Sequence, residues 1–284
     1  MTKLILLSLC LSTTALANQK TWIPKYQQKS KQTKTVEKKV VDSLTKEPKT
    51  EPVAKRNIVK PETPLEALYL KVPRGKQHLE LLKAESLKLK QDAVPTLIKV
   101  MKSSDYPDQN RWIATYMLGR IMGKKSAPFI SKFTKHPNWM LRLAALKVLL
   151  HLDQKQYDGI YARLLEDKSL IVRHQALQNI KEMNLTKLAP YVWKMLYNKQ
   201  NYVGVKGNRK RSHIVKTAIK VIGDLDFKDA KMPMLKMIQK KKYSDIHGEL
   251  DYALSLINDE KSPDGNLSVK RIYWNKVALK EFKI

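Results

Sequence analysis

The densest set of side chains able to grip an anion lies in Asn198-Lys199-Gln200-Asn201-Tyr202-Val203-Gly204-Val205-Lys206-Gly207-Asn208-Arg209-Lys210-Arg211. Lys199, Lys206, Arg209, Lys210 and Arg211 stand there beside two glycines, and no acid interrupts them. Arginine presents a planar fork that pairs bidentately with phosphate or carboxylate, and glycine bares backbone N–H groups. Two readings are open: an anion-contacting element, or a solvated loop whose charge serves solubility. Gly204-x-x-Gly207 decides nothing, because it lacks the strand-loop-helix setting of a phosphate cradle. A second basic set is regular. Lys99, Lys132, Arg163 and Lys194 hold the same place in four successive apolar stretches. Helices stacked roughly 8–10 Å apart would align them as a ridge, unless each simply faces water. Lys240-Lys241-Lys242 reads as the solvated end of a helix.

Reaction chemistry is harder to find. The chain has no Gly-x-Ser-x-Gly, no His-Glu-x-x-His, no phosphate-binding loop and no Cys/His metal pattern. His78, His136, His151, His174, His213 and His247 are scattered, and His247-Gly248-Glu249 lacks the spacing for two ligands on one helix face. No cofactor or metal is expected, and neither is enzymatic activity. The 55 basic against 26 acidic residues give a net charge of +29 over 284 residues. That balance favours acidic proteins, nucleic acids or anionic envelope polymers as partners.

The elements that position these residues follow a targeting segment. Lys3, an apolar run from Leu4 to Leu11 and Ala15-Leu16-Ala17 make a secretory signal at residues 1–17, with the mature chain starting at Asn18. The run is far shorter than the roughly 20 residues of a membrane span. Leu9 stands where a lipoprotein signal wants a small residue before Cys10, so Cys10 leaves with the signal. The mature chain then has no thiol and depends on no disulfide. The expected location is the periplasm or the outside of the cell. Residues 18–62 form a Lys/Pro-rich linker without apolar period, read as a disordered tether about 35–40 Å in root-mean-square span. Its Trp22-Ile23-Pro24 is either a docking peptide or a stray apolar cluster.

From Thr63 the pattern is helical and repeats. Pro95, Pro128, Gly159, Pro190 and Pro233 head apolar stretches at spacings of 33, 31, 31 and 43. Proline suits a first helical turn, where its missing N–H has no partner to lose. Ala114, Ala145, Ala176, Ala218 and Ala253 mark the stretch after each head, with Leu118, Leu149, Ile180, Ile222 and Ile257 four places on. Such pairs share one helix face, and the small Ala admits a neighbouring helix. Each unit is two short helices that need neighbours to be stable. Proline to alanine takes 28 residues in the fourth unit against 17 to 20 elsewhere, which places an insertion at Asn198 to Arg211.

The chain here resembles the HEAT-repeat family of α-solenoids, particularly its short bacterial HEAT-like variety. In that family a proline opens the first helix and the second carries a Val-Arg-x-x-Ala-Leu run. Val172-Arg173-His174-Gln175-Ala176-Leu177 matches, Leu141-Arg142-Leu143-Ala144-Ala145-Leu146 nearly so, and Asn110-Arg111-Trp112-Ile113-Ala114 keeps the Arg. Leu118-Gly119 and Ile222-Gly223 supply the glycine that often follows. The resemblance implies an all-α solenoid of about five to six stacked helix pairs over residues 63–259, with a turn and cap at 260–284. It also implies a ladder of Asp and Arg, an Asp standing six residues before each Arg. Asp105/Arg111 and Asp167/Arg173 fit, Arg142 has His136 in the Asp place, and Val215 and Leu250 replace the Arg in the last two units. The ladder is therefore expected in the first half alone. Some DNA-repair glycosylases are basic solenoids of this kind, but Pro137 occupies the place of their catalytic Asp. The resulting expectation is a non-catalytic, exported binding protein that holds an acidic protein partner on its curved face, or alternatively a polyanion.

Overall fold

The computed structural model describes residues 60–202 and 213–281. The signal segment, the linker up to residue 59, and Lys206, Arg209, Lys210 and Arg211 of the insertion lie outside them.

Among the described residues the chain is all helical and pairs its helices in order. The first pair is α1 (Pro64–Leu70) and α2 (Gly75–Leu89), followed by α3 (Val94–Lys102) and α4 (Asp108–Met122). Next come α5 (Ala127–Lys132) with α6 (Trp139–His151), and α7 (Asp158–Leu164) with α8 (Leu170–Glu182). Then α9 (Ala189–Lys194) pairs with α10 (His213–Asp224), α11 (Lys231–Ile238) with α12 (His247–Ile257), and α13 (Leu267–Glu281) ends the chain. Each short first helix packs on its longer second helix, and the second helices pack on one another from α2 through α12. The result is a two-layer α-solenoid of six helix pairs. Its second layer is continuous, and α13 lies against α11 and α12.

The sequence markers explain this packing. Pro64, Pro95, Pro128 and Pro190 sit in the first turn of α1, α3, α5 and α9. The five marker alanines are fully buried, and the apolar residues four places on are at most 2% exposed. Close approach needs more than alanine at two points. A Cβ on Gly223 would sit 2.6 Å from the Ala253 Cα, and one on Gly119 would collide with the Val148 side chain. These two glycines set how closely α10 meets α12 and α4 meets α6.

Every second helix ends alike. Lys90, Gly123, Asp153, Asn184, Asp226 and Asp259, just past α2, α4, α6, α8, α10 and α12, all have φ between 48° and 57°. Asp and Asn tolerate this left-handed conformation better than most residues, so it stops the helix and turns the chain back. The Leu185 N–H then donates to the Ile180 carbonyl, and the Phe227 N–H to that of Ile222. This second periodic signal sits in plain view in the sequence, yet four different residue types disguise it.

The two ends of the stack are each fixed by one buried carboxylate. Glu66, 1% exposed, accepts from Tyr106 Oη at 2.6 Å, from Lys99 Nζ at 2.9 Å and from the Glu62 N–H at 3.0 Å. Burial raises its affinity for a proton, but the bonds from Tyr106 and Lys99 outweigh this and hold it below the ordinary carboxylate range. At the other end Asp251 accepts from Trp274 Nε1 at 2.8 Å, Lys270 Nζ at 2.8 Å and Ser262 Oγ at 2.5 Å. Burial works against its charge too, and Lys270, Ser262 and Trp274 together keep it low. Trp274 itself is fully buried and seats α13.

Candidate functional site

The arginines form three successive bridges, each running from one repeat to the next. Arg142 grips Asp167 bidentately, Nε and Nη2 each at 2.7 Å, while its Nη1 donates to the His136 and Pro137 carbonyls. Arg173 Nε reaches Asn201 Oδ1 at 2.8 Å, and its Nη1 donates to the Asp167 carbonyl at 2.7 Å. Arg111 donates to the Met101 carbonyl at 3.0 Å, and its Nη2 faces His136 Nε2 at 3.1 Å. Three acceptors of different chemistry thus occupy equivalent places: an imidazole, a carboxylate and an amide. Asp105 is not among them, because it closes its own turn with Ser103 at 2.6 Å.

The bridges are not equally good. The Asp167 carboxylate serves Arg142 and also accepts from the Ser169 N–H at 2.8 Å. A neutral imidazole offers only one acceptor nitrogen. His136 nevertheless faces two donors, Arg111 at Nε2 and the Asn138 N–H at Nδ1, 3.0 Å away. One donor is left unserved, and Arg111 Nε is buried without a partner. Burial, then the charge of Arg111, push the His136 proton affinity below its ordinary value, so the ring is held neutral. Asn201 belongs to the insertion, whose first turn, Lys199–Tyr202, is anchored through Arg173; Lys199 itself is exposed.

The basic ridge resolves into contacts that reach back along the first layer. Lys99 pairs with Glu62 at 2.8 Å and Glu66 at 2.9 Å, and both hydrogen bonds raise its proton affinity. Arg163 donates to Thr134 Oγ1 at 3.1 Å, and Lys194 pairs with Glu166 at 2.8 Å. Lys132 is exposed. Three of the four thus meet the preceding repeat rather than standing free.

A further accessible surface lies on the outer side of the second layer. At five before, two before and two after the first four marker alanines, α4 presents Gln109, Trp112 and Tyr116, and α6 presents Met140, Leu143 and Lys147. The same places hold Ile171, His174 and Gln178 on α8, and His213, Lys216 and Lys220 on α10. All twelve are exposed or half-exposed and none is acidic. The row runs from apolar to basic along the stack. Its apolar end carries a groove of about 280 Å³ between α2, α4 and α6, lined by Leu79, Gln109, Trp112, Trp139, Met140 and Leu143. Trp112 stacks on Tyr116 with centroids 6.3 Å apart, and Trp139 remains 41% exposed. Where the row changes character, the His174 and His213 rings lie 5.8 Å apart. Burial, then His213, lower the His174 proton affinity. At the basic end Lys216 shares its charge with Glu249 at 3.7 Å, and Lys220 lies over the Tyr252 ring. A second feature of about 280 Å³, in the first layer between α7 and α9, is lined by Tyr191 and Tyr197 and crossed by the Lys194–Glu166 pair.

This face forms no charge cluster in the sequence; its signal is the absence of acid at three helical places in four successive repeats, ending where the buried Asp251 takes one of them in the fifth. Among the described residues no group of three or more His, Cys, Asp or Glu could hold a metal, and no helix is long and apolar enough to cross a membrane.

The stack of helix pairs with proline-opened first helices and arginine-bridged second helices is HEAT-like at the level of architecture. No protein-family model matches the chain, and no curated protein matches it. Among solved structures it is similar to the complex of CpcE and CpcF of phycocyanin lyase from Nostoc sp. PCC7120. The TM-score is 0.38 at 13% identity, over 82% of this chain and 99% of that chain. The sequence expectation that the chain is not an enzyme is withdrawn on this finding, since the matched structure is that of a lyase complex. At such a distance neither activity nor substrate carries over.

Proposed function

We propose that this chain is an exported binding protein of the HEAT-repeat type that holds a protein partner on the outer side of its second helix layer. One observation carries the reading: a row of twelve solvent-accessible positions free of acid, with the Trp112–Trp139 groove at one end. Exposed contiguous apolar surface bordered by polar residues is characteristic of interaction sites. Tryptophan is moreover enriched among the residues that dominate interface energetics. Export rests on the signal pattern at residues 1–17, and the basic composition of the insertion supports an auxiliary contact with anions.

The experiment is a pull-down with the mature chain from the envelope of its source, followed by titration of salt. A protein partner retained at about 150 mM salt, with affinity only weakly dependent on salt, is the expected result. The opposite result is retention of nucleic acid or acidic glycan alone. For duplex DNA, log affinity would then fall by about 0.9 per phosphate neutralised for each decade of salt, which would replace the protein-binding reading with polyanion binding.

A further inference from the structure

The row on the second layer is not uniform, and its polarity specifies what lies on it. Over α4 and α6 the accessible groups are aromatic and aliphatic: Trp112, Tyr116, Met140 and Leu143, with Trp139 at the groove's rim. Over α10 they are His213, Lys216 and Lys220, and Lys147 stands on α6 at the inner edge of the apolar part. An apolar ligand satisfies only the first half and a polyanion only the second. We infer that the occupant is a single extended segment of a partner protein, with apolar side chains in the groove over α2, α4 and α6 and carboxylates facing Lys147, Lys216 and Lys220. This rests on the protein-binding reading above and specifies the chemistry and orientation of the bound segment.

Geometry fixes the spacing. Neighbouring packed helices lie about 8–10 Å apart, so the groove and the α10 lysines are separated by about 20–30 Å. An extended chain advances about 3.3 Å per residue, which places the acids that face Lys216 and Lys220 about six to nine residues from the apolar anchor, while an acid facing Lys147, on α6 beside the groove, stands closer to it. Charge complementarity sets the order. No acid competes for the partner's carboxylates within the row, although Glu249 takes part of the charge of Lys216. Lys147 and Lys220 are both exposed and make no ion pair among those described, so they carry most of the attraction.

The test places a photoreactive residue at Gln109, at Lys220 and, as a control on the first layer, at Tyr191, each in the full mature chain. After irradiation in the native envelope, the crosslinked partner peptides are sequenced. The expected result is apolar peptides from Gln109 and acidic peptides from Lys220, in one partner chain and about six to nine residues apart. Lys147→Glu with Lys220→Glu, both at exposed positions, is expected to weaken capture by about tenfold or more, and Leu143→Asp likewise, with circular dichroism confirming the fold. Crosslinks to protein from Tyr191 alone would overturn the inference while leaving protein binding intact. So would acidic peptides at both second-layer positions, or capture indifferent to the paired lysine reversal. Crosslinks to nucleic acid or glycan only would remove both.

Discussion

The two halves of the solenoid hold their repeats together by different means. From α4 to α8 the joints are guanidinium bridges: Arg111 to His136, Arg142 to Asp167 and Arg173 to Asn201. From α10 onward Val215 and Leu250 stand in the arginine place, both buried, and no such bridge forms among the described residues. There the joint is steric, through Gly223 against Ala253, and the end is closed by Asp251 and Trp274. The insertion sits at the boundary, where α8 and α10 touch least among second-layer neighbours. Polar bridges tolerate variation in the acceptor, as the three acceptor types show, whereas a backbone contact admits only glycine. The accessible face changes at the same boundary, from apolar to basic.

This contrast can be broken at its strongest point on either side. Arg142→Ala leaves Asp167 as a nearly buried charge with its main partner gone, so it is expected to cost about 3–5 kcal/mol. Denaturant unfolding measures the loss, and an unchanged midpoint would mean that the bridge is ornamental. In the other half Gly223→Ala pushes a methyl into the Ala253 backbone, with an expected cost of about 2–3 kcal/mol. Gly119→Ala should cost less, because the new methyl meets the Val148 side chain rather than backbone. Equal costs would deny that the second half depends on backbone contact.

Acid should loosen the first half before the second. His136 and His174 are held neutral in the fold, below their ordinary value of 6.5. The unfolded chain therefore binds more protons as pH falls below about 6.5, and stability drops from there toward the lowered folded values. Asp251 has the opposite linkage: its contribution is complete above the ordinary 3.8 and is lost only as pH falls through its lower folded value. Amide exchange at pH 5 should accordingly rise around α4 to α8 while α12 and α13 stay protected. Uniform loss of protection would contradict the comparison. The smallest effect sharpens it: His136→Asp gives Arg111 and the Asn138 N–H one acceptor each and should raise stability by about 1 kcal/mol. It should also remove part of the pH dependence. A fall in melting temperature would show that the stacking of His136 on Phe133 outweighs the better hydrogen bonds.

Much of this was legible before any coordinates. Proline heads, marker alanines and the apolar residue four places on are local rules of the helix. They fixed the all-helical repeat and even the position of the insertion, because a 3.6-residue period and a buried face leave few alternatives. The arginines of the ladder were legible too, but not their partners: each acceptor lies in the next repeat, and the insertion moves the last one to Asn201. The regular lysines looked like a free ridge because a sequence cannot show that Glu62, Glu66 and Glu166 lie within reach of Lys99 and Lys194.

The sequence by itself thus determined the helices, their order and the boundary between the halves, all of which depend on neighbours a few residues apart. Only the tertiary structure decided which cations are spent on the protein's own acids and which face solvent. The same holds for the groove, since Leu79, Trp112 and Trp139 come from three helices whose spacing is set by packing between repeats rather than by any local preference.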